Sequence, residues 1–282
     1  MRRIAAGLIV IMSVLLVSCK GKTGNTITVG SDKLDNTQSY FSESMHKAAR
    51  CDSGYYYLDK CGASADNLMF YDDKSEESIV LCNKPQCGHD GEECMAYISG
   101  SEFKSELYYY NSYIYMISSK GNLVRISADG TQRTDLGSIC VLSGQDSVSM
   151  CFNDGYAYVS QEITGDIEGN VTVRLHRFNL DTGLSDKIYE ETGYGIGINS
   201  LKTYGSDTFF LKTSVSKDDK GLYSLEGKGI FRITGENTEC LLDKNVYSYC
   251  IDADNNKLYY SGLGDGTIYE YDLGSGKSER SH

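Results

Sequence analysis

Two aromatic strands around a tight polar turn recur along the chain, and this repeat constrains the fold more than any other feature of the sequence. Equivalent aromatic residues lie 43 to 51 residues apart, at Tyr115, Tyr158, Phe209 and Tyr259. Propeller blades of four antiparallel strands repeat at about 40–50 residues. The sequence therefore predicts an all-β propeller of about five visible four-stranded blades, which either close into a small ring or form an incomplete one. A two-sheet sandwich is the alternative, but it does not predict one strand–turn–strand phrase at nearly constant spacing.

The turns and strands of the repeat have the residues that hairpins need. The third phrase, for example, places Asp154 and Gly155 between two alternating strands, and Asp-Gly is typical of a two-residue hairpin turn. The first phrase opens with the strand Gly54–Tyr57. The composition has 23 Tyr, 30 Gly and a single Pro, which suits short half-buried strands joined by tight turns.

Four cysteines recur at matching positions of the repeat. Cys151 and Cys250 lie on the first strand of a unit just before its turn, and Cys140 and Cys240 lie near the end of the preceding unit. Recurrence at one structural position favours small buried side chains over chemistry. We expect these four to be buried free thiols.

The N-terminus has the features of a bacterial lipoprotein. Residues 1–18 combine a short positive start with an apolar run, which indicates a signal peptide. They end in Leu16-Val17-Ser18 before Cys19, an order that resembles a lipobox, so we expect cleavage before Cys19 and a diacylglyceryl anchor on its thiol. An ordinary signal peptide with a chance cysteine is the alternative. Residues 19–38 are polar and predict a flexible tether, and residues 39–282 predict the propeller. The expected location is the extracytoplasmic face of the cell membrane.

Charge limits the partners. The formal net charge is −12 with no basic cluster, which excludes nucleic acid as a favourable partner and a second, electrostatic contact with anionic lipid. The expected partners are the membrane, through the anchor, and a surface protein or glycan.

One segment groups residues that bind metals. Its four donors follow the spacing C-x4-C-x-H-x4-C and are Cys82, Cys87, His89 and Cys94. Three thiolates and one imidazole complete a tetrahedral zinc shell, so these residues are a candidate structural zinc site. Pro85, with Gly88 and Gly91, would let the loop fold back, and Asp90 is a candidate hydrogen-bond partner for His89.

Two other interpretations of this segment stay open. One is a disulfide within the trio of cysteines, which an exported location permits, and the other is a loop without a ligand. Cys51 and Cys61 flank the first aromatic strand and would join this chemistry or pair with each other. Nine cysteines remain besides Cys19, an odd number that leaves at least one unpaired thiol or a metal ligand.

The cysteine phrase and the Tyr-rich repeats behind a lipobox resemble a group of propeller lipoproteins from anaerobic Gram-positive bacteria, similar to those of Lachnospiraceae. The repeats are also similar to TolB-like propellers and to those of low-density-lipoprotein-receptor-related proteins. The resemblance covers most of residues 50–275 and implies a surface-exposed propeller without implying an activity. Such organisms use few extracytoplasmic disulfides, so it also implies metal rather than disulfide at residues 82–94.

No sequence motif of a known active site occurs in the chain. His46, His176 and His282 have no neighbouring motif and are expected on the surface. The predicted function is therefore non-enzymatic binding or scaffolding by a lipid-anchored propeller. The alternative is a propeller glycoside hydrolase or lyase that uses paired carboxylates from different blades.

Overall fold

The computed structural model describes residues 48–281 except 101, 104–105, 166–168, 205–206, 236, 253–254, 263 and 265. The predicted signal peptide, Cys19, the tether, His46 and His282 lie outside the described residues. The described residues form 21 β-strands. None of them lies in a helix that is long and apolar enough to cross a membrane.

Five antiparallel sheets follow one another along the chain, and their strands pair in chain order except that the fifth strand of the first sheet pairs with its third strand. The strands of blade 1 are β1 (Ala48–Cys51), β2 (Gly54–Lys60), β3 (Ala65–Asp72), β4 (Glu77–Val80) and β5 (Tyr97–Ser99). Those of blade 2 are β6 (Tyr108–Tyr110), β7 (Tyr113–Ile117), β8 (Asn122–Ser127) and β9 (Arg133–Ser138). Those of blade 3 are β10 (Ser147–Asn153), β11 (Tyr156–Thr164), β12 (Asn170–Asn179) and β13 (Ser185–Tyr194). Those of blade 4 are β14 (Gly197–Tyr204), β15 (Asp207–Lys217), β16 (Tyr223–Thr234) and β17 (Asn237–Leu242). Those of blade 5 are β18 (Val246–Asp252), β19 (Lys257–Gly262), β20 (Ile268–Asp272) and β21 (Ser278–Arg280).

This architecture confirms the predicted all-β propeller of about five four-stranded blades. The predicted start of the first unit was one strand late, because β1 precedes the strand that contains Gly54–Tyr57. The phrase around Asp154 and Gly155 forms the predicted hairpin between β10 and β11. Both turn residues have positive φ, 46° and 78°, as a two-residue turn that matches strand twist requires.

Strand alternation gives every blade two packing faces. We name the face toward the following blade the front face and the other the back face. In β10, Met150 and Phe152 belong to the cluster shared with blade 2, whereas Cys151 belongs to the cluster shared with blade 4. Blade 3, like blades 2 and 4, is thus buried on both sides, which explains why its strands carry aromatic and aliphatic residues at successive positions.

Four hydrophobic clusters fill the spaces between successive blades. Tyr56 lies in the cluster between blades 1 and 2, Tyr115 in the next, Tyr158 in the third and Phe209 in the fourth. No cluster formed by described residues joins blade 5 to blade 1.

Each blade has two ends, defined by the direction of its strands. We name the end that carries the connections between successive blades the linker end.

The cysteines of the repeat divide into two pairs. Cys140 and Cys151 are buried free thiols, as predicted. The prediction was wrong for Cys240 and Cys250, which are exposed. Cys240 lies on the outermost strand of blade 4, and Cys250 lies on the front face of blade 5, where no further blade of the described chain covers it.

Candidate metal centre

The cysteine–histidine loop interrupts the outer strand of blade 1. β4 pairs with residues Met69–Asp72 of β3, and β5 pairs with Ala65–Asn67 of the same strand. The two short strands therefore share one sheet position, and residues 81–96 leave the sheet between them. Both ends of this loop bond to Leu68, which accepts from the amide of Leu81 at 2.8 Å and donates to the carbonyl of Ala96 at 2.8 Å.

The four predicted ligands converge in this loop. One ligand atom each from Cys82, Cys87, His89 and Cys94 lies within 4.8 Å of all the others. Nδ1 of His89 is 3.3 Å from Sγ of Cys94. Cys94 is buried and the other three are partly exposed, so the set lies at the rim of the blade with one side packed on the core.

Tight turns bring the ligands together. The amide of Cys87 donates to the carbonyl of Lys84 at 3.4 Å, and the amide of Cys94 donates to the carbonyl of Gly91 at 2.9 Å. The chain adopts positive φ at Gln86 (60°) and His89 (57°), where non-glycine residues are strained. The loop folds back and its four candidate ligands converge, as predicted, although the left-handed residues are Gln86 and His89 rather than the two glycines.

The thiols are not equivalent electrostatically. Burial would raise the pKa of Cys82, but hydrogen bonds with the backbone of Lys84 and Met95 and with the other two thiols outweigh it and lower that pKa. Burial raises the pKa of Cys94 to about 12. Cys82 therefore becomes a thiolate before Cys94, and a bound cation would help Cys94 to lose its proton.

Blade 2 packs directly on the start of the loop. A Cβ on Gly130 would lie 2.6 Å from the carbonyl oxygen of Leu81, so only glycine allows this approach. The hydroxyl of Tyr56 donates to the carbonyl of Ala128 at 3.1 Å in the same region. The loop is thus held between blade 1 and the turn that joins β8 to β9.

The other predicted members of this site stay apart from it. Asp90 makes no hydrogen bond to His89, so the prediction that Asp90 supports the imidazole of His89 is wrong. Cys51 is buried and donates to the carbonyl of Gly54 at 3.4 Å, whereas Cys61 is exposed. All nine described cysteines are free thiols, and no second group of three or more His, Cys, Asp or Glu ligands gathers among the described residues.

A buried polar network in blade 3 was not predicted. His176, expected on the surface, is only 8% exposed, and its Nε2 lies 3.2 Å from Oε1 of Gln161. The amide of Gln161 donates to Asp146 at 2.9 Å. Next to it, Glu162 accepts from the amide of Ile198 at 3.1 Å, and burial raises the pKa of its carboxyl. The sequence gives one indication of this network, because the polar residues Gln161 and Glu162 directly follow apolar residues in the same strand. Strand alternation alone does not show which of the two polar side chains is buried.

The comparisons with known proteins concern the fold. No family model and no curated protein matches the sequence. The oligogalacturonate lyase of Vibrio parahaemolyticus superposes with a TM-score of 0.56 at 9% identity, covering 81% of this chain and 61% of the lyase. An oligogalacturonate lyase in complex with manganese gives 0.48 at 12% identity, covering 76% and 58%. The designed protein Ika8 gives 0.45 at 12% identity, covering 83% and 60%.

This chain spans about three fifths of the length of these structures. The likeness to the Vibrio lyase supports the propeller fold. At 9% identity it extends to the fold alone.

Proposed function

We propose that this chain is a lipid-anchored propeller on the extracytoplasmic face of the cell membrane, where it binds a surface protein or glycan without transforming it. A structural zinc ion held by Cys82, Cys87, His89 and Cys94 stabilises the binding domain. The convergence of these four ligand atoms within 4.8 Å is the observation that carries the metal proposal. The lipobox-like sequence before Cys19 supports the anchor.

Zinc is the metal that fits this set of donors. Thiolate and imidazole donors suit zinc, whereas magnesium, calcium and manganese prefer oxygen donors. Four protein ligands close a tetrahedral shell, and a catalytic zinc would keep one position open for water or substrate. The arrangement therefore supports a structural role.

The location of the loop explains what the metal stabilises. β4 and β5 continue one outer strand, but a 16-residue excursion separates them, and closing such a loop costs conformational entropy. A metal that ties residue 82 to residues 87, 89 and 94 holds the two half-strands in line on β3. We expect a zinc chelator to lower the melting temperature of the full chain and added zinc to restore it. A melting temperature unaffected by chelation would contradict a structural metal.

The linker end of the propeller is the proposed binding surface. Most of the exposed large hydrophobic side chains of the described residues lie at that end: Val141, Tyr194, Leu222, Tyr223, Leu225, Tyr247 and Ile268. Leu184 lies at the opposite end. Exposed apolar groups concentrated on one face are typical of an interaction surface.

The most prominent part of this surface is a ridge that we name the tyrosine crest, formed by Tyr194, Leu222, Tyr223 and Leu225. Three of these residues lie on the β15–β16 hairpin, whose strands of 11 and 12 residues are the longest that the described residues form, and Tyr194 ends β13. The rings of Tyr194 and Tyr223 are stacked, with centroids 6.4 Å apart and planes 18° apart. Nζ of Lys217 lies 5.1 Å from the centre of the Tyr223 ring. Rigid aromatic side chains beside a cation make a suitable anchor for a protein or an anionic glycan.

The binding proposal is tested by retention of the full chain on a glycan array and by cross-linking to surface proteins of intact cells. We expect Tyr223→Ala to weaken the retained interaction at least tenfold. Leu184→Ala, an exposed residue at the opposite end, is the matched control and should bind normally. Equal binding by both variants would contradict a role of the crest, and no retention in either assay would contradict the binding function.

A lyase or hydrolase of glycans is the second candidate. Glu162 favours it, because a partly buried carboxyl with a raised pKa is the usual form of a general acid. The fold is shared with an oligogalacturonate lyase, whose name makes oligogalacturonate the first substrate to try. Release of unsaturated sugar by the wild type but not by Glu162→Gln would establish this candidate. An inactive wild type would exclude oligogalacturonate as its substrate.

A further inference from the structure

The three cysteines of the candidate metal centre lie close enough together for thiol–disulfide chemistry. All four ligand atoms lie within 4.8 Å of one another. The thiol of Cys82 is hydrogen-bonded to the thiols of both Cys87 and Cys94. Since an S–S bond is about 2 Å long, two sulfur atoms in such contact need only a small shift to join. The same three side chains therefore offer two chemical states, one with three thiolates on a metal and one with a disulfide and a single thiol.

Solvent reaches two of these three cysteines. Cys82 and Cys87 are partly exposed, whereas Cys94 is 2% exposed and belongs to the hydrophobic cluster between blades 1 and 2. Zinc keeps its cysteine ligands in the thiolate form, and the thiolate is the form that attacks an oxidant. Oxidation of a cysteine depends on exposure as well as on thiolate character. An oxidant in the medium therefore meets Cys82 and Cys87 before Cys94.

The loop that carries the cluster has little regular structure of its own. Residues 83–93 are all described, none of them lies in a strand, and each is exposed or partly exposed. The flanking residues differ, because Leu81 and Ala96 are fully buried and both bond to the backbone of Leu68. Loss of the metal should therefore free the loop while β4 and β5 stay paired with β3.

We propose that the candidate metal centre is a site of reversible oxidation by hydrogen peroxide, at which a disulfide between Cys82 and Cys87 replaces the bound zinc ion. This inference rests on the zinc ion of the proposed function. It adds a regulation of that ion, because the oxidation state of the two exposed cysteines decides whether residues 83–93 are held to blade 1.

The reaction consumes one hydrogen peroxide and takes two electrons from the two thiolates. The thiolate of Cys82 or Cys87 attacks one oxygen of the peroxide, so an S–O bond forms, the O–O bond breaks and hydroxide leaves. The other thiolate attacks that sulfur, so the S–S bond forms, the S–O bond breaks and a second hydroxide leaves. Two protons from solvent convert both hydroxides to water. Zinc loses two of its four ligands and dissociates as Zn²⁺, and the thiolate of Cys94 takes up a proton.

The oxidised loop differs from the zinc-bound loop in what holds its second half. The disulfide closes only the first part of the loop, and His89 no longer binds a metal. Cys94 stays packed in the core, so the stretch between His89 and Cys94 loses one of its two attachments. Glu92 and Glu93 lie in that stretch and are exposed. A Glu-specific protease should therefore cut there readily in the oxidised state and slowly in the zinc-bound state.

Zinc release from the full chain, followed with a chromophoric zinc indicator, tests the proposal. The protein is purified with reductant, its zinc content is measured, and the reductant is removed before hydrogen peroxide is added. We expect peroxide to release the zinc and to leave a Cys82–Cys87 disulfide in the peptide mass spectrum. Cleavage after Glu92 or Glu93 should become faster by about tenfold or more. Dithiothreitol with added zinc should restore the original state.

Two variants separate oxidation of this pair from other losses of zinc. Cys87→His offers zinc an imidazole in place of one exposed thiolate, so hydrogen peroxide should release its zinc at least about tenfold more slowly. The zinc content of this variant is measured first. Cys61→Ser removes an exposed thiol outside the cluster and should respond like the wild type.

The outcomes distinguish this inference from the proposed function. Zinc that stays bound in peroxide, or that leaves while Cys82 and Cys87 remain reduced, would overturn the inference alone. Release from Cys87→His as fast as from the wild type would also overturn it. Reduced protein that contains no zinc would refute the structural metal, and the inference with it.

Discussion

Acidification of the medium should destabilise the protein through His176 before it acts on most carboxylates. The side chain is 8% exposed and bonds to Gln161. Burial, and then the positive charges of Arg174 and Lys187, lower the pKa of His176 from 6.5 to about 4. The folded state therefore keeps the imidazole neutral at pH values where the unfolded chain binds a proton.

The sign and size of the effect follow from this difference. Because the pKa of the base is lowered on folding, its contribution to stability is complete above pH 6.5 and falls as the pH drops from 6.5 towards 4. The full difference corresponds to roughly 3 kcal/mol of unfolding free energy. About 1 kcal/mol of it is lost between about pH 7.5 and about pH 5.5, above the usual range of carboxylate titration.

Urea unfolding followed by far-ultraviolet circular dichroism at these two pH values measures the effect. The matched variant is His176→Gln, which keeps an amide donor for Gln161 but cannot be protonated. The wild type should lose about 1 kcal/mol more than the variant between the two pH values. Glu162, whose pKa is raised, is present in both proteins and cancels in the difference. Equal losses by both proteins would refute the account of His176.

Four other substitutions, one of them a control, test the packing and the anchor. Gly130→Ala should lower the unfolding free energy by about 1–3 kcal/mol, measured by urea unfolding, because its Cβ would clash with the carbonyl of Leu81 at a φ of +69°. In the same assay Phe209→Ala should lower the unfolding free energy by about 3–5 kcal/mol, because Phe209 is buried between blades 4 and 5. Leu184→Ala, at an exposed residue, should lower it by less than about 0.5 kcal/mol. Similar losses in both variants would contradict the packing between these blades. Cys19→Ser should move the protein from the detergent phase to the aqueous phase in phase partition, and a wild type already in the aqueous phase would contradict lipid attachment.

The repeats were sufficient to predict the fold because each blade is a local unit. A hairpin such as that around Asp154 and Gly155 depends on turn residues and strand alternation that lie within about ten positions of each other. The cluster of candidate metal ligands was predictable for the same reason, since Cys82 and Cys94 lie in one loop. Donor type and spacing are visible in the sequence even where the loop geometry is not.

Features that depend on the neighbouring blade could not be predicted. Cys151 and Cys250 have equivalent positions in the repeat, yet one is buried and the other exposed, because only one is followed by a further described blade. His176 was predicted on the surface but is buried, for a related reason. Its partners in the buried network are Gln161 and Asp146, which do not lie on its own strand. The division of the outer strand of blade 1 into β4 and β5 was also not predictable, because it depends on pairing with β3 across the loop.

Elemental analysis of the purified full chain, with thiol titration before and after chelation, tests most directly whether Cys82, Cys87, His89 and Cys94 hold a structural metal. We predict one zinc per chain, with the three ligand thiols reactive only after the metal is removed. Cys82→Ser should lose the metal, and Cys61→Ser, at an exposed thiol outside the cluster, should keep it. Metal-free protein with a disulfide among the three ligand cysteines would contradict the account.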